Sequence, residues 1–169
     1  MTKLLVVGSS NTDMIIQVPH IPAPGETVLG GEFTTAPGGK GANQAVAAAR
    51  LGGDVSLVAC VGNDMFGKQA LEGFRKEGID TSKCVMDDSA PSGVAQIFVA
   101  HDGENSIAVA SGANARLHAR HVAAVDREIA AASVVLVQLE TPVDTVLELA
   151  RRASAADACV ILNPAPACG

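Results

Sequence analysis

Short apolar runs alternate with helix-forming segments along most of this chain. Four runs lack a regular polar position and end in small or polar residues, which is typical of strands buried on both faces. They lie at residues 3–7, 54–60, 134–137 and 158–162. The residues between and after them predict helices at 42–51, 65–77, 117–132 and after Pro142. Strands that alternate with helices in this way predict an α/β fold, with a Rossmann-like parallel sheet flanked by helices.

A second, smaller sheet is predicted beside the first. Residues 92–100 and 105–110 are strands joined by a turn that contains Asp-Gly, a strong hairpin signal. Prolines exclude a central strand or helix from residues 19–31, and short strands are expected at 27–29 and 32–35. The small sheet is thus built from about 14–36 and 92–110. One face of its hairpin carries the apolar residues Ala95, Ile97, Val99, Ile107 and Val109.

Composition narrows the class of protein. The 169 residues are 48% hydrophobic and 18% charged, enough apolar material for one domain with a real core. A net charge of −6 argues against a nucleic-acid partner. The first apolar run is too short for a signal peptide or membrane span. The cysteines at 60, 84, 159 and 168 form no C-x-x-C pair and are expected to be reduced thiols of a cytoplasmic protein.

A glycine-rich bend runs directly into the first predicted helix. Gly38, Gly39 and Gly41 permit positive φ and close approach of a ligand, and the helix that follows points its free N–H groups at whatever the bend holds. A simple connection explains the spacing equally well. Lys40 and Asn43 favour a site, because a cation and an amide beside bare backbone suit an anion or a polyol. A Walker loop is excluded by the glycine after Gly-Lys, and no G-x-G-x-x-G follows the first strand.

Polar residues follow the first and third strands of the predicted sheet. Asn11 and Asp13 come after the first strand, where a turn and a ligand site are equally supported. Glu140 follows the third strand, as a cap of the next helix or as a ligand residue. Since carboxyl ends of parallel strands share one rim, these groups and the glycine bend are expected to converge there as a sugar pocket. His118 and His121 are interpreted as solvated surface, because two histidines among arginines make no metal site.

At these positions the chain resembles the ribokinase family of sugar kinases over its whole length. The motifs that carry the resemblance are Gly8-Ser9-Ser10-Asn11-Thr12-Asp13, Pro24-Gly25-Glu26-Thr27, the glycine bend and its helix, Gly62-Asn63-Asp64 with Gly67, Gly112-Ala113-Asn114, Gln138-Leu139-Glu140 and Asn163-Pro164-Ala165-Pro166. The resemblance implies transfer of the γ-phosphate of ATP to the 5-hydroxyl of ribose, with Mg²⁺ and K⁺ as ions.

The same resemblance implies a role for individual residues. Asn11 and Asp13 would bind ribose hydroxyls, and Glu140 would accept a further hydroxyl bond. Other residues would line the sugar site, namely Gly39, Lys40, Gly41 and Asn43. The small sheet would be a lid lined by Ala95, Ile97 and Val109, and the lids of two copies would pair in a homodimer.

One departure from the family limits what the resemblance implies. Relatives are nearly twice as long, and their ATP site, cation site and catalytic aspartate lie in a second half whose Gly-Ala-Gly-Asp turn is missing here. The chain is therefore expected to be a sugar-binding half that cannot turn over alone and that associates through uncovered surfaces. Two alternatives remain: a kinase for another sugar or nucleoside of the same superfamily, and a non-catalytic sugar-binding or regulatory protein. The missing glycine fingerprint weakens a third, a nucleotide-binding dehydrogenase domain.

Overall fold

The main sheet has four parallel strands. The computed structural model describes residues 2–29 and 31–167, so Gly30 and Cys168 lie outside the described residues. The strands of this sheet are β1 (Lys3–Val7), β4 (Asp54–Val58), β9 (Val134–Gln138) and β10 (Cys159–Asn163). They lie in the order β10-β9-β1-β4 and every neighbouring pair is parallel. The α/β fold expected from the apolar runs is confirmed.

Successive strand residues point to opposite sides, so both faces of this sheet carry apolar side chains. Helices cover both faces and bury these side chains. Val6 and Leu57 are fully buried in a core shared with α1 (Lys40–Arg50) and α2 (Met65–Lys76). Leu5 and Val7 are buried in a second core on the other face. That core is shared with α3 (Ala119–Ala123), α4 (Asp126–Ala131) and α5 (Val143–Ala155). No helix formed by the described residues has both the length and the hydropathy needed to cross a membrane.

A second four-stranded sheet stands apart from the first. It is built from β2 (Asn11–Val18), β3 (Glu32–Gly38), β7 (Gly93–Ala100) and β8 (Asn105–Ala110). Its order is β3-β2-β7-β8, with β2 and β7 parallel and the two outer pairs antiparallel. The Asp-Gly turn closes the hairpin as expected, with Gly103 at φ 91°.

The limits of this second sheet differ from the expected ones. Its first strand begins at Asn11, so the turn interpretation of Asn11 and Asp13 is wrong: both residues belong to a ladder that pairs along its length with β3. The strand expected at 27–29 is also wrong, because these residues join no ladder and Leu29 is 84% exposed. Among the described residues, no strand of either four-stranded sheet pairs with this segment, so it stays outside both sheets.

Contacts with distant segments change two further predicted elements, the strand at 54–60 and the helix at 117–132. The apolar run 54–60 does not continue as one strand: β4 ends at Val58, and β5 (Cys60–Gly62) pairs instead with β6 (Val85–Asp87), which the sequence did not predict. The helix expected at 117–132 is broken into α3 and α4 after a 3₁₀ turn at Gly112–Arg116. The hydroxyl of Thr145 donates to the Leu117 carbonyl at 2.5 Å, and His118 takes an extended backbone, so no helix begins at 117.

Candidate functional site

Glu140 joins three segments at the carboxyl end of the main sheet. Its Oε2 accepts from the Ser9 hydroxyl at 2.6 Å and from the Lys40 backbone N–H at 2.9 Å. Its Oε1 accepts from the Lys40 ammonium at 2.7 Å. The residue therefore caps the N-terminus of α1, where a carboxylate is favoured by the helix dipole, and not α5 as one interpretation of the sequence had it. The rim expected from the strand ends is present.

The glycine bend allows the first turn of α1 to touch the end of β1. Gly39 has φ 92°, and a Cβ there would lie 2.8 Å from the backbone nitrogen of Asn11. A Cβ on Gly41 would lie 2.6 Å from the backbone nitrogen of Ser9. The first N–H groups of the helix are used by the protein itself, since Gly41 donates to the Ser9 hydroxyl at 3.3 Å and Ala42 to the Ser9 carbonyl at 2.8 Å. A ligand at this rim consequently meets a carboxylate and an ammonium, not the bare helix amides that the sequence suggested.

Charge at the rim is fixed by the Lys40–Glu140 ion pair. Burial raises the pKa of Glu140, but the hydrogen bonds from Lys40 and Ser9 outweigh it, so the pKa lies below its ordinary value. The side chain of Glu140 is 16% exposed and that of Lys40 is 37% exposed. Both side chains therefore keep part of their surface in contact with solvent.

Asp13 is the third charged group of the rim. Burial raises its pKa above the ordinary value, repulsion from Glu140 raises it further, and Lys40 lowers it. Asp13 pairs with Ala36 on β3, the strand that leads through Gly38 and Gly39 into Lys40. Its carboxylate lies against the backbone of Gly38, and within the described residues it receives no hydrogen bond from the protein. A half-buried carboxylate left without a donor is suited to accept from a ligand.

The second sheet presents apolar side chains on the same face as Asp13. One row across it contains Ala36, Asp13, Ala95 and Val109, in the order β3-β2-β7-β8. The next row on that face contains Thr34, Ile15, Ile97 and Ile107. The register therefore places Ala95, Ile97 and Val109 beside Asp13, as the hairpin pattern predicted for one face. Their role as a lining remains a prediction.

Asn11 and Asn43 line a cleft that none of the three charged residues lines. Asn11 is 7% exposed, and its Oδ1 accepts from Nδ2 of Asn114 at 2.7 Å. Asn43 is exposed and lines a cleft of about 640 Å³ between α1, α2 and the β3 edge, together with Asn11 and Gly38. The structure thus brings Asp13, Lys40 and Glu140 together and sets Asn43 at the margin of an adjoining cleft.

Two residues of the site had no assigned role in the sequence. Ser9 joins Glu140 to the first turn of α1, and Asn114 holds the start of β2. Both lay within recognised motifs, but Ser9 is 131 positions from Glu140 and Asn114 is 104 positions from Ser10 along the chain. Polar residues just after a buried strand were the available signal for Ser9, and a lone asparagine between Gly-Ala and Ala was the signal for Asn114.

No metal-binding group emerges from the described part of the chain, where no three His, Cys, Asp or Glu residues lie together in a way that could hold an ion. His118 and His121 are half-buried and not fully solvated. Their rings stack with centroids 6.0 Å apart, and Nδ1 of His121 accepts from the His118 backbone N–H at 3.0 Å. This arrangement forms the start of α3.

Comparison with known proteins identifies the family and the fold. A model of the pfkB family carbohydrate kinases matches residues 1–168. The chain is 46% identical to the ribokinase of Haemophilus influenzae over 97% of its own length and 54% of that protein. Among solved structures, ribokinase from Thermotoga maritima has a TM-score of 0.90 at 39% identity, covering all of this chain and 55% of that one. Arabidopsis thaliana ribokinase, solved with ribose and ATP, has a TM-score of 0.85 at 30% identity. That match covers 98% of this chain and 54% of the Arabidopsis chain. The chain spans about half the length of the curated relatives it matches.

Proposed function

The chain belongs to the pfkB family of carbohydrate kinases, and we propose that it is the sugar-binding half of a ribokinase. Such an enzyme transfers the γ-phosphate of ATP to the 5-hydroxyl of D-ribose in ribose catabolism. The observation that carries the proposal is the Asp13 carboxylate, which receives no hydrogen bond from the described residues and shares a row of the second sheet with apolar residues, next to the strand that leads into Lys40. The names of the relatives supply the choice of sugar.

Sugar hydroxyls both donate and accept hydrogen bonds, and the rim offers both kinds of partner. Asp13 accepts. Glu140 uses one bond at Oε1 and two at Oε2, which leaves it capacity for a further hydroxyl among its roughly four acceptor sites. The Lys40 ammonium gives one bond to Glu140 and has two further N–H groups to donate. Gly39 and Gly41 line the base of the site, and Asn43 adds an amide at its margin.

The second sheet would close over the sugar as a lid. It contributes Ala95, Ile97 and Val109 as an apolar lining on the face that carries Asp13. Closing such a face over the bound sugar removes water, which would otherwise compete for the phosphoryl group. Two copies would pair through this sheet as a homodimer. The support is the exposure of Ile107 and Val109, each 54% exposed, on the edge strand β8.

Phosphoryl transfer itself requires a base for the hydroxyl, donors for the γ-phosphate and a metal ion. We assign none of these to this chain, which contains no Gly-Ala-Gly-Asp run and, among its described residues, no cluster suited to a metal. ATP, Mg²⁺ and K⁺ are proposed for the intact enzyme from the resemblance, with no binding residues named here. We further propose that the 169-residue chain does not turn over alone. The free cysteines at 60, 84 and 159 favour a cytoplasmic location.

Ribose-dependent ADP release separates the two parts of this proposal. The purified chain, its mass verified, is assayed with ATP, Mg²⁺ and K⁺, and the same sample is titrated with D-ribose, 2-deoxy-D-ribose and D-fructose. We expect binding of ribose without ADP release. Release that depends on ribose would contradict the proposed inactivity. A folded sample that binds none of the three sugars would contradict the sugar site, and preference for another sugar would change the substrate.

A further inference from the structure

The side chain of Asn114 makes three hydrogen bonds at the base of the second sheet. Its Oδ1 accepts from the Ser10 backbone N–H at 2.9 Å. Its Nδ2 donates to the Ser10 carbonyl at 3.1 Å and to Oδ1 of Asn11 at 2.7 Å. Asn114 is 2% exposed and follows β8, where the chain leaves the second sheet, whereas Ser10 and Asn11 lie where the chain enters it. The side chain therefore ties together the two ends of the sheet.

Gly93 has no side chain and so leaves space for the contact between Asn114 and Asn11. Gly93 begins β7 and pairs with Asn11. A Cβ on Gly93 would lie 2.2 Å from Oδ1 of Asn11 and 2.3 Å from Nδ2 of Asn114. A side chain at position 93 would consequently occupy the place of the amide contact between Asn114 and Asn11.

The backbone of Ser10 fixes which way both amides point. A backbone N–H can only donate and a backbone carbonyl can only accept, so Asn114 must direct Oδ1 to the first and Nδ2 to the second. The remaining hydrogen of Nδ2 then requires an acceptor, which obliges Asn11 to present its oxygen. In the described part of the chain, Nδ2 of Asn11 donates no hydrogen bond to another protein group.

Asn11 and Asp13 are two positions apart on one strand and project to the same face. With the oxygen of Asn11 held by Asn114, the group turned away from that contact is an NH₂ donor. A donor at position 11 beside an acceptor at position 13 would match the two-sided hydrogen bonding of a sugar hydroxyl.

We propose that Asn114 is a positioning residue, which fixes the Asn11 amide so that Nδ2 and not Oδ1 faces the sugar. The inference rests on the proposed function and deepens it: Asn114 acts through Asn11 and does not itself touch the sugar. It also assigns Asn11 the role of hydroxyl donor, in contrast to the acceptor role of Asp13.

The test is a double-mutant cycle between Asn114→Asp and Asn11→Ala. An aspartate at 114 still accepts from the Ser10 N–H but has no donor for Asn11, so the Asn11 amide turns over and presents its oxygen to the sugar. D-ribose affinity, measured by calorimetry, is expected to fall roughly tenfold. In the Asn11→Ala background the same substitution is expected to change affinity by less than about twofold, because its effect runs through Asn11.

Ser92→Ala is the matched control. The Ser92 hydroxyl donates to Asp64 at 2.7 Å and accepts from the Gly62 N–H at 3.0 Å, so it ties the same end of the sheet without touching Asn11. This variant is expected to lower the melting temperature and to leave ribose affinity within about twofold. If Asn114→Asp lowered ribose affinity as much in the Asn11→Ala background as in the parent chain, the positioning role would be overturned. Such a result would indicate general loosening of the sheet.

A measurement on the unmodified chain keeps the inference testable where Asn114→Asp does not fold. In a ¹⁵N-labelled sample, ribose is expected to shift the side-chain NH₂ signal of Asn11, whereas the Asn114 NH₂ signal exchanges slowly with solvent and stays in place. An Asn11 signal indifferent to bound ribose would overturn the inference. Absence of ribose binding by the folded parent chain is a different outcome, since it contradicts the proposed function itself.

Discussion

The carboxylate of Asp13 occupies the space that a side chain at Gly38 would fill. A Cβ on Gly38 would lie 2.1 Å from Oδ1 of Asp13 and 2.4 Å from its Cγ. Gly38 ends β3 and pairs with Asn11, so the glycine is next to Asp13 across the two strands. The position of the proposed sugar-binding carboxylate therefore depends on a residue that has no side chain.

Gly38→Ala is expected to displace Asp13 and weaken D-ribose binding by about tenfold or more, because the added methyl group and the carboxylate cannot share the space. Overpacking is also expected to cost about 1–3 kcal/mol of unfolding free energy. Gly73→Ala is the control, since a Cβ there meets nothing within 4 Å and the position is inside α2. Calorimetry and urea unfolding measure both effects. Normal ribose affinity in a folded Gly38→Ala chain would contradict this account of Asp13.

Lys40→Met tests the ion pair while keeping the backbone N–H that binds Glu140. Removing the ammonium takes a hydrogen bond and a positive charge from Glu140, so the pKa of that residue is expected to rise. Ribose affinity is expected to fall about tenfold to a hundredfold, the range for a bond to a charged group. Lys76→Met, which removes an exposed pair with Glu72, is the control and should bind ribose normally. An unchanged affinity in Lys40→Met would exclude Lys40 as a sugar donor.

Acid is expected to remove sugar binding before it removes the stability due to Glu140. The pKa of Asp13 is raised, chiefly by burial, so Asp13 takes up a proton above its ordinary value of 3.8 and ceases to be a charged acceptor there. The pKa of Glu140 is lowered. Its contribution to stability is therefore complete above its ordinary value of 4.5 and is lost as the pH falls through the folded value.

This order of events is checked by ribose titrations and thermal unfolding across a pH series. Asp13 has the opposite effect on stability, because a raised carboxyl pKa means that ionisation disfavours the folded state as the pH rises. Asp13→Asn should bind ribose weakly at every pH and should lack the first acid step. Parallel loss of binding and stability in the unmodified chain would contradict the separate roles of Asp13 and Glu140.

Self-association is expected through two exposed apolar edges. In the described residues, β8 and β10 are edge strands, and they carry Ile107 (54% exposed) and Ile161 (49% exposed). Sedimentation over a concentration series should show dimers or larger species. Ile107→Asp is expected to abolish pairing through the second sheet, and Ile161→Asp to reduce association through the main sheet. A monodisperse monomer that melts cooperatively would contradict both expectations.

Local signals predicted most elements of the fold. Apolar runs placed β1, β9 and β10 within a residue or two, because strands buried on both faces have few alternatives. Asp64 caps α2 next to the expected helix start at 65, and its Oδ1 accepts from the Gly67 N–H at 2.8 Å. These interactions are made between residues close in sequence, where propensity and spacing carry the information.

Contacts between distant residues were not accessible in the same way. Glu140 meets α1, which lies 100 positions earlier in the chain, so its own neighbourhood suggested a cap of the wrong helix. The helix expected at 117–132 breaks where Leu117 is bound by Thr145 from another helix. Asn11 also depends on distant residues: its strand pairs with β3 and β7, and its Oδ1 accepts a hydrogen bond from Asn114. Tertiary contacts overrode the local preference in each case.

Calorimetric titration of the folded 169-residue chain with D-ribose, beside the Asp13→Asn variant, tests the central claim most directly. The account places the sugar at the rim formed by Asp13, Lys40 and Glu140, so the parent chain should bind one ribose and the variant should bind it at least tenfold more weakly. Equal binding by both folded chains, or no binding by the parent chain, would contradict the claim that this rim is a sugar site.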